Sequence, residues 1–420
     1  MTDTATPPPT LLAGLRVVDL TTVEGHVCGR ILASMGADVV KVEPPGGDST
    51  RGTAADADSL GAARWWAENL GKKSITLNLE VEAGRELLER LLESADVLVH
   101  SFTRPTLERL GIDHAELSLR YPRLIQAAIT PFGLDGPHSS FEATDLTIQA
   151  MGGHMYVTGD DDRAPVRVGV PVAHRHGGAE AAAAISVAYY ERQVSGLGQV
   201  IDVSMQECVV WTMLNTTMTW ELTGRNEVRG GAVRRERSSP IYTRLVWRCN
   251  DGLVHFVPVG GGGGRSRVKS WDRLVSWMES EGYGAPILRA KEWNGEHQHD
   301  ISQEEYDALS AQIQAFLLTK TVAVLYDRAV VDGLLLAPVA TVPDVLASRQ
   351  LDDRQFFRVI EDPALGGPAT VPGPFARFTR TPLVPPTRAP RVGEHNREIY
   401  TDGLGLSDDE LAALTATGVI

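Results

Sequence analysis

The stretch "LRVVDLTTVEGHVCGRILASMGADVVKVE", residues 15–43, begins and ends with short runs of β-branched residues, LRVVDL (15–20) and ADVVKVE (37–43). Runs of this kind are typical of strands. Similar runs recur at 74–79, 96–101 and 124–130, and helical patterns such as 81–95 separate several of them. Strands that alternate with helices predict an α/β fold in which a parallel sheet is covered by helices on both faces.

The turn after the first of these strands bears on the cofactor. The segment "DLTTVEGHVCGRI" carries Gly25 and Gly29. A dinucleotide-binding turn needs the spacing GxGxxG, which brings the backbone close to a pyrophosphate. The sequence therefore predicts neither a nicotinamide nor a flavin cofactor.

Composition and charge limit the function classes. The chain has 420 residues, of which 43% are hydrophobic and 22% charged, as in a soluble globular protein of about two domains. Its formal net charge is −14. Nucleic-acid binding needs a clustered basic surface, so a nucleic-acid partner is not expected. An acidic protein that binds an anionic ligand must hold its cations locally.

Cysteines and apolar runs bear on the compartment. Cys28, Cys208 and Cys249 are widely spaced and form neither a disulfide framework nor a zinc pattern, so no metal site is expected. No apolar run reaches membrane-spanning length. Residues 1–11 have no basic or apolar leader pattern and predict a disordered lead-in. We therefore expect a cytoplasmic protein without a membrane partner.

The second half of the chain changes in character. A polar, basic stretch at 229–239 suggests a crossing between domains, and 242–259 is patterned as a hairpin that turns at Asn250-Asp251-Gly252. Helical patterns follow at 266–281, 302–317 and 321–331. We predict a small α+β domain over 240–331. The large domain would then be discontinuous, formed by 12–228 and 332–420.

A series of motifs in one order carries a family resemblance. In chain order they are LAGLRVVDLT (12–21), GADVVKVEPPGGDSTR (36–51), NLGKKSITLNL (69–79), SADVLVHSFTRPTLERLG (94–111), YPRLIQAAITPFGLDGP (121–137), SGLGQVIDVSM (195–205), LLLAPVATVPDVLASRQL (334–351) and APRVGEHN (389–396). Together they make the chain resemble the class III CoA-transferase family, of the CaiB/BaiF type, over about residues 12–420. That family includes formyl-CoA transferase, carnitine CoA-transferase and α-methylacyl-CoA racemase.

The resemblance implies a fold and an activity. The family fold has a Rossmann-like large domain and a smaller domain, and two chains interlock as a dimer. The family's transferases move CoA between an acyl-CoA and a carboxylic acid. We therefore expect coenzyme A or acyl-CoA as the substrate, and a homodimer or a heterodimer with a homologous subunit.

CoA needs cations for its phosphates and hydrogen-bond donors along its pantetheine. The phosphate candidates, which follow strands or lie in loops at one edge of the sheet, are Lys41, Arg51, Lys72 and Lys73. Where the family usually has an Asn-Phe pair at the CoA site, this chain has Ser101 and Phe102, so one amide is replaced by a hydroxyl. Arg109 matches a further CoA contact of the family.

Other candidates come later in the chain. The family places backbone contacts to pantetheine at the positions of Phe132 and Gly133, and Asp145 matches an acid near its site. The glycine run at 260–264 lies where some members close a lid over the acyl group. Each also has a plain structural explanation: Phe132 and Gly133 as a turn, Asp145 as a helix cap, and the glycine run as a surface loop.

The segment "PVAHRHGGAEAA", residues 171–182, raises the main question. The family pattern is PIADLTAGLYAA, whose Asp attacks the acyl-CoA thioester and forms a mixed anhydride. His174 stands at the position of that Asp, and His176 follows two residues later. The His176-Gly-Gly-Ala-Glu stretch is similar to the benzylsuccinate CoA-transferase subgroup. That enzyme has two related subunits, only one of which needs the aspartate.

Several hypotheses remain open at this point. The chain is a transferase subunit that lacks the nucleophile, or an acyl-CoA racemase or isomerase that uses His174 or His176 as a general base. It could also be a non-catalytic CoA-binding subunit. An acyl-imidazole at His174 would lose its acyl group to water. Both histidines could simply be satisfied by backbone carbonyls at a helix start.

Overall fold

The structure, a computed structural model, describes residues 10–52, 60–235, 241–259, 264–294 and 300–420. Residues 1–9 of the predicted lead-in lie outside these ranges. The strands are β1 (Arg16–Leu20), β2 (Asp38–Glu43), β3 (Lys73–Thr76), β4 (Val97–His100), β5 (Ile125–Thr130), β6 (Val200–Ser204), β7 (Val233–Arg235), β8 (Tyr242–Arg244), β9 (Val246–Arg248), β10 (Leu253–Phe256), β11 (Leu336–Pro338), β12 (Phe357–Asp362) and β13 (Gly367–Pro372).

The α-helices in the same ranges separate most of these strands. They are α1 (His26–Ser34), α2 (Leu60–Glu68), α3 (Glu82–Leu92), α4 (Arg104–Leu110), α5 (His114–Arg120), α6 (Asp145–Met151), α7 (Val172–Ser195), α8 (Met205–Trp211), α9 (Leu214–Thr223), α10 (Gly264–Ser280), α11 (Gln303–Leu317), α12 (Val322–Asp332), α13 (Val342–Leu346), α14 (Arg349–Asp353) and α15 (Asp408–Ala416). Short 3-10 turns occur at Ser49–Arg51, Pro286–Arg289 and Pro363–Leu365, and a π-helix at Arg397–Gly403.

The main sheet confirms the predicted α/β class. Its six strands are all parallel, in the order β3-β2-β1-β4-β5-β6. The five runs singled out in the sequence form β1 to β5. The sixth strand, β6, begins directly after the "GLGQ" turn and was not predicted, because its residues are partly exposed and less apolar.

The sheet is covered on both faces, which is why its central strands are apolar without alternation. All residues of β4 and β5 are buried. In β4, Val97 and Val99 pack into a core cluster with α1 and α7. Leu98, which points to the other face, packs with the leucines of α3. Two apolar layers therefore enclose the sheet.

The long helix α7 is rich in alanine and glycine because it packs closely on its neighbours. A Cβ on Gly177 would come within 2.6 Å of Met205, and a Cβ on Gly178 within 3.0 Å of the Cys28 backbone nitrogen. Larger side chains would push α7 away from α1 and α8. The small residues thus fix the place of the N-terminal end of α7, where His174 lies.

The chain divides into two compact units. The first contains Met1–Met155, Arg167–Asn226 and Gln350–Ile420, and the second contains Tyr156–Val166 and Glu227–Arg349. In the second unit, the Arg229 side chain donates to the backbone oxygens of Asp160 and Arg163, which ties the two segments together. The domain boundaries inferred from the sequence, 12–228 with 332–420 and 240–331, stay predictions.

The second unit has its own core. Strands β9 and β10 form an antiparallel hairpin in the region where the sequence predicts one, and β11 extends it. Trp247 and Trp293 are buried in a cluster with residues of α10 and α11. The predicted glycine-rich segment at 260–264 lies outside the described residues except for Gly264.

Within the described residues, no single helix combines the length and the apolar character needed to cross a bilayer. The pair α11 and α12, bent by 110°, meets the criterion by length and composition only.

Candidate functional site

The carboxyl ends of the parallel strands define one edge of the sheet, and the strand order places a crevice there. After β1 the chain continues towards β2 on one side, while β4 lies on the other side. Ligands of open α/β sheets bind at such a point. The loops after β1 and β4 are joined there, because the Thr22 N–H donates to Ser101 Oγ at 2.7 Å and the two hydroxyl oxygens lie 2.9 Å apart.

A cavity of about 300 Å³ opens at this edge. Its walls come from the ends of β1, β2 and β4 and from helix α4. Three of the predicted CoA contacts, Lys41, Phe102 and Arg109, line it. Ser101 is joined to a fourth lining residue, Thr22, by the hydrogen bonds described above. The structure thus brings four of the predicted residues to one place.

The lysines predicted to contact phosphate lie in different environments. Lys72 is buried, and its Nζ donates to Asp19 Oδ2, Asn69 Oδ1 and the His26 carbonyl, each at 2.8 Å. An ammonium group has three hydrogens, so these partners use all of them. Lys41 is also buried, and its Nζ donates to the Thr21 carbonyl.

These buried cations act on the carboxylate between them. Burial alone would raise the pKa of Asp19, but the ammonium groups of Lys72 and Lys41 outweigh it and lower that pKa to about 2. Burial lowers the pKa of Lys72, although Asp19 opposes this effect. These contacts give Lys72 the character of a structural ion pair beneath the crevice.

The remaining predicted cations are paired with acids. Arg51 holds Glu43 with Nε and Nη2, each at 2.5 Å, and its guanidinium lies 3.6 Å from the ring centre of Trp65. Lys73 lies 2.9 Å from both Asp38 and Glu398. Arg109 pairs with Glu80 on the surface, and exposed pairs of this kind are weak. Arg109 is therefore the cation most easily released to a ligand.

Phe132 and Gly133 lie in the turn after β5. The Gly133 N–H donates to Thr130 Oγ1 at 2.9 Å, and its φ of 92° is in the left-handed region that favours glycine. The Phe132 ring packs edge-on against His138 and Phe141. Because β5 runs parallel to β4 and β4 to β1, this turn lies at the same edge of the sheet as the cavity.

His174 lies in the first turn of α7 and is only 5% exposed. Its Nδ1 is 2.9 Å from Nη2 of Arg64, a residue of α2. Its Nε2 is buried and has no hydrogen-bond partner among the described residues. Burial lowers the pKa of His174. The charges of Glu24 and Asp145 act to raise this pKa, and the charge of Arg64 acts to lower it.

Asp145 supports the same turn. Its Oδ1 accepts the backbone N–H of His174 at 3.2 Å, and its Oδ2 accepts from the Gln149 side chain. A carboxylate at a helix N-terminus satisfies a free N–H group and complements the helix dipole. Asp145 therefore caps α7, while Thr144 caps α6.

His176 is exposed, in contrast to His174. Two residues along a helix correspond to about 200°, so the two rings point to opposite faces of α7. The structure does not bring the two predicted catalytic histidines together.

Three charged residues at the site were not predicted. Arg64 and Glu68 lie one helical turn apart on α2, and Glu24 lies in the loop after β1. The i, i+4 spacing of Arg64 and Glu68 was readable in "ARWWAENLG" but indicates only a helical ion pair. Their contact with α7 depends on the tertiary fold. Among the described residues, no group of three or more His, Cys, Asp or Glu side chains is placed to hold a metal ion.

Comparison with known proteins gives the class. The model of "CoA-transferase family III" matches residues 12–396, and the chain belongs to this family. A CaiB/BaiF family protein from Brucella suis has the same fold, with a TM-score of 0.80 and 29% identity over 94% of this chain and 99% of that one. The family acts on CoA thioesters, and the chain is a transferase of this type.

Two characterised relatives are similar over almost the whole length. The succinyl-CoA:(R)-benzylsuccinate CoA-transferase subunit BbsE of Thauera aromatica is 32% identical, with 92% of this chain and 93% of that protein covered. The succinyl-CoA–D-citramalate CoA-transferase of Chloroflexus aurantiacus is 33% identical, with 98% and 99% covered.

Proposed function

We propose that this chain is one subunit of a CoA-transferase that moves CoA between an acyl-CoA and a carboxylic acid, and that a homologous partner supplies the nucleophilic carboxylate. The observation that carries the proposal is the 2.9 Å contact between Arg64 Nη2 and His174 Nδ1. It bears directly on what the residue at the family's nucleophile position can do.

An arginine side chain donates hydrogen bonds and accepts none. Nδ1 of His174 must therefore be the acceptor, and the proton of the neutral ring is on Nε2. Burial lowers the pKa of His174, which favours the neutral ring. A ring in this state has no free lone pair, so it can neither attack a thioester nor remove a proton. The carboxylate for the reaction has to come from elsewhere.

Two observations support a homologous partner. The relative BbsE is by its name a subunit of its enzyme. The first unit also carries exposed apolar stripes on two helices: Val187, Tyr190 and Val194 on α7, and Leu214, Met218 and Leu222 on α9. Large exposed apolar surfaces mark association sites. We propose the interlocked dimer of the family, formed as a homodimer or as a heterodimer with a homologous subunit, of which the heterodimer supplies the carboxylate.

The proposed CoA site is the cavity at the crevice. Phe102 offers a ring for the adenine or pantetheine, Arg109 offers a cation for the phosphates, and Lys41 adds positive potential from below. The turn of Phe132 and Gly133 would extend the site along the same edge. The three cysteines are free and buried, as in a protein of a reducing compartment, and we propose a cytoplasmic location.

The racemase hypothesis requires a histidine with a free lone pair beside the substrate. His174 has no free lone pair, and His176 lies on the opposite, exposed face of α7. Exchange of the α-hydrogen of an acyl-CoA in deuterated water is therefore not expected. Observation of such exchange, with its loss in His174→Ala, would establish the general base and overturn the subunit proposal.

The direct test is co-purification from the native host, followed by a CoA-transfer assay with a panel of acyl-CoA donors. We expect a homologous chain with aspartate at the equivalent position to co-purify. The purified chain should bind CoA but transfer it only with that partner. Full transfer by the purified chain alone would contradict the proposal.

A further inference from the structure

Three residues form a chain of contacts that holds the His174 ring. Arg64 Nε lies 3.1 and 3.2 Å from the two carboxylate oxygens of Glu68, which is 3% exposed. The Arg64 Nη2 atom also donates to the Val23 carbonyl at 3.2 Å. The guanidinium is thus fixed from two sides while it donates to His174 Nδ1. The ring orientation of His174 is set by these contacts.

The other ring nitrogen of His174 is left with a hydrogen and no acceptor. Nε2 is buried and has no partner among the described residues. An unsatisfied buried donor costs free energy, and native structures keep few of them. Because Arg64 occupies Nδ1, the ring cannot relieve this cost by changing its tautomer. The N–H group is therefore available for an acceptor that arrives with a ligand.

The charges around the ring select the kind of acceptor. Glu24, Asp145 and Glu68 each place a negative charge near His174, and Arg64 is the cation among the groups that act on it. Asp145 is satisfied by the α7 N-terminus and Gln149, and Glu24 accepts the Thr22 hydroxyl. A free carboxylate would add another negative charge to this set. A neutral carbonyl oxygen would not.

We infer that His174 Nε2–H donates a hydrogen bond to the carbonyl oxygen of a bound acyl thioester, and that Arg64 is the positioning residue that fixes the ring for this contact. The inference rests on the proposed function, because it requires that the chain bind an acyl-CoA. In this chain, the residue at the family's nucleophile position would thus recognise the substrate, by a hydrogen bond to the thioester oxygen.

A pair of ligands isolates this one contact. Acetyl-CoA has the thioester carbonyl oxygen. S-ethyl-CoA has two hydrogens in place of that oxygen, and its CoA portion and chain length are the same. Calorimetry with the full chain should show that acetyl-CoA binds about tenfold more tightly, the effect of one hydrogen bond to an otherwise unsatisfied donor. The His174→Phe variant should bind both ligands with nearly equal affinity, whereas His176→Phe on the exposed face of α7 should keep the preference.

A second measurement reports on the ring itself. Nitrogen-15 resonances distinguish a protonated from an unprotonated ring nitrogen. We expect His174 to show one tautomer with the proton on Nε2, and Arg64→Met to give a mixture of tautomers together with a smaller acetyl-CoA preference. If the phenylalanine variant does not fold, His174→Gln replaces it in the experiment. Its side-chain amide also donates a hydrogen bond, so it should keep part of the preference for acetyl-CoA.

The outcomes separate the two proposals. Equal affinity of the wild-type chain for acetyl-CoA and S-ethyl-CoA overturns the inference, while CoA binding still supports the proposed function. A proton on Nδ1 overturns the inference and also removes the argument that His174 has no free lone pair. Failure of the wild-type chain to bind CoA, acetyl-CoA or S-ethyl-CoA overturns the proposed function, and the inference with it.

Discussion

Lys72 and Asp19 form an ion pair beneath the crevice, with 2.8 Å between Nζ and Oδ2 and both side chains fully buried. The next residue, Lys73, lies near the surface and pairs with two partly exposed acids. Lys72 directly precedes β3 and Lys73 is its first residue. Successive side chains of an extended segment point to opposite sides, so these neighbours reach different surroundings. The two lysines of "NLGKKS" therefore have different roles.

We expect Lys72→Met to destabilise the protein by about 3–5 kcal/mol, because removal of one partner leaves the Asp19 charge buried and unpaired. The matched variant Lys73→Met should cost less than about 1 kcal/mol, as for exposed ion pairs. Chemical denaturation of the two variants measures both values. Equal losses of stability would contradict the buried role of Lys72.

The same pair predicts a dependence on pH. Its ammonium partners lower the pKa of Asp19 to about 2, below the ordinary value of 3.8. Folding thus favours the carboxylate, so its contribution is complete above about pH 4 and is lost as the pH falls towards 2. The loss should be about 2 kcal/mol for this group. Unfolding free energies measured from pH 5 to pH 2 should fall less steeply in Asp19→Asn than in the wild type.

The cavity at the crevice predicts which residues control CoA affinity. We expect Arg109→Gln to weaken CoA binding about tenfold, because a charge-assisted contact to phosphate is lost. Arg104→Gln is the control, since Arg104 lies on the same helix in an exposed pair with Glu108 but does not line the cavity. Calorimetric titration with CoA gives both values. A similar loss in the two variants would show that only the general charge of α4 matters.

The strands of the sheet could be predicted because each is marked by residues that are adjacent in the sequence. Buried parallel strands are continuous apolar runs, and β1 to β5 were found from such runs. Strand β6 was missed because only its last residues are buried. Similarly, α8 and α9 are separated by a break at residues 212–213 that no glycine or proline marks.

The site was less predictable than the sheet. His174 was found because the family motif aligns there without a gap. Arg64, whose Nη2 lies 2.9 Å from His174 Nδ1, is 110 residues away and belongs to a different helix. A sequence shows that an arginine is present but not which ring nitrogen it will reach. Likewise, the partners of Lys72 come from β1, α1 and the loop before β3, and only folding brings them together.

The proposed exchange of the family's aspartate for His174 can be tested by the reverse substitution in this chain. His174→Asp places a carboxylate at the start of α7, within the reach of Arg64, whose charge should keep it ionised. If the surrounding site is otherwise intact, the purified variant should gain CoA transfer without a partner. It should also form an enzyme–CoA thioester at position 174 that hydroxylamine cleaves and mass spectrometry locates.

The control for this gain is His176→Asp, which adds a carboxylate to the same helix on its exposed face and should remain inactive alone. The wild-type chain should give no adduct at either position. If His174→Asp binds CoA but gains no transfer with any donor tested, the site has diverged beyond this one residue, and a CoA-binding subunit without its own chemistry becomes the better description. If it gains transfer, His174 alone accounts for the inactivity of the purified chain. The physical reason is that the Nδ1 lone pair of the ring accepts a hydrogen bond from Arg64 and is not free to attack the thioester.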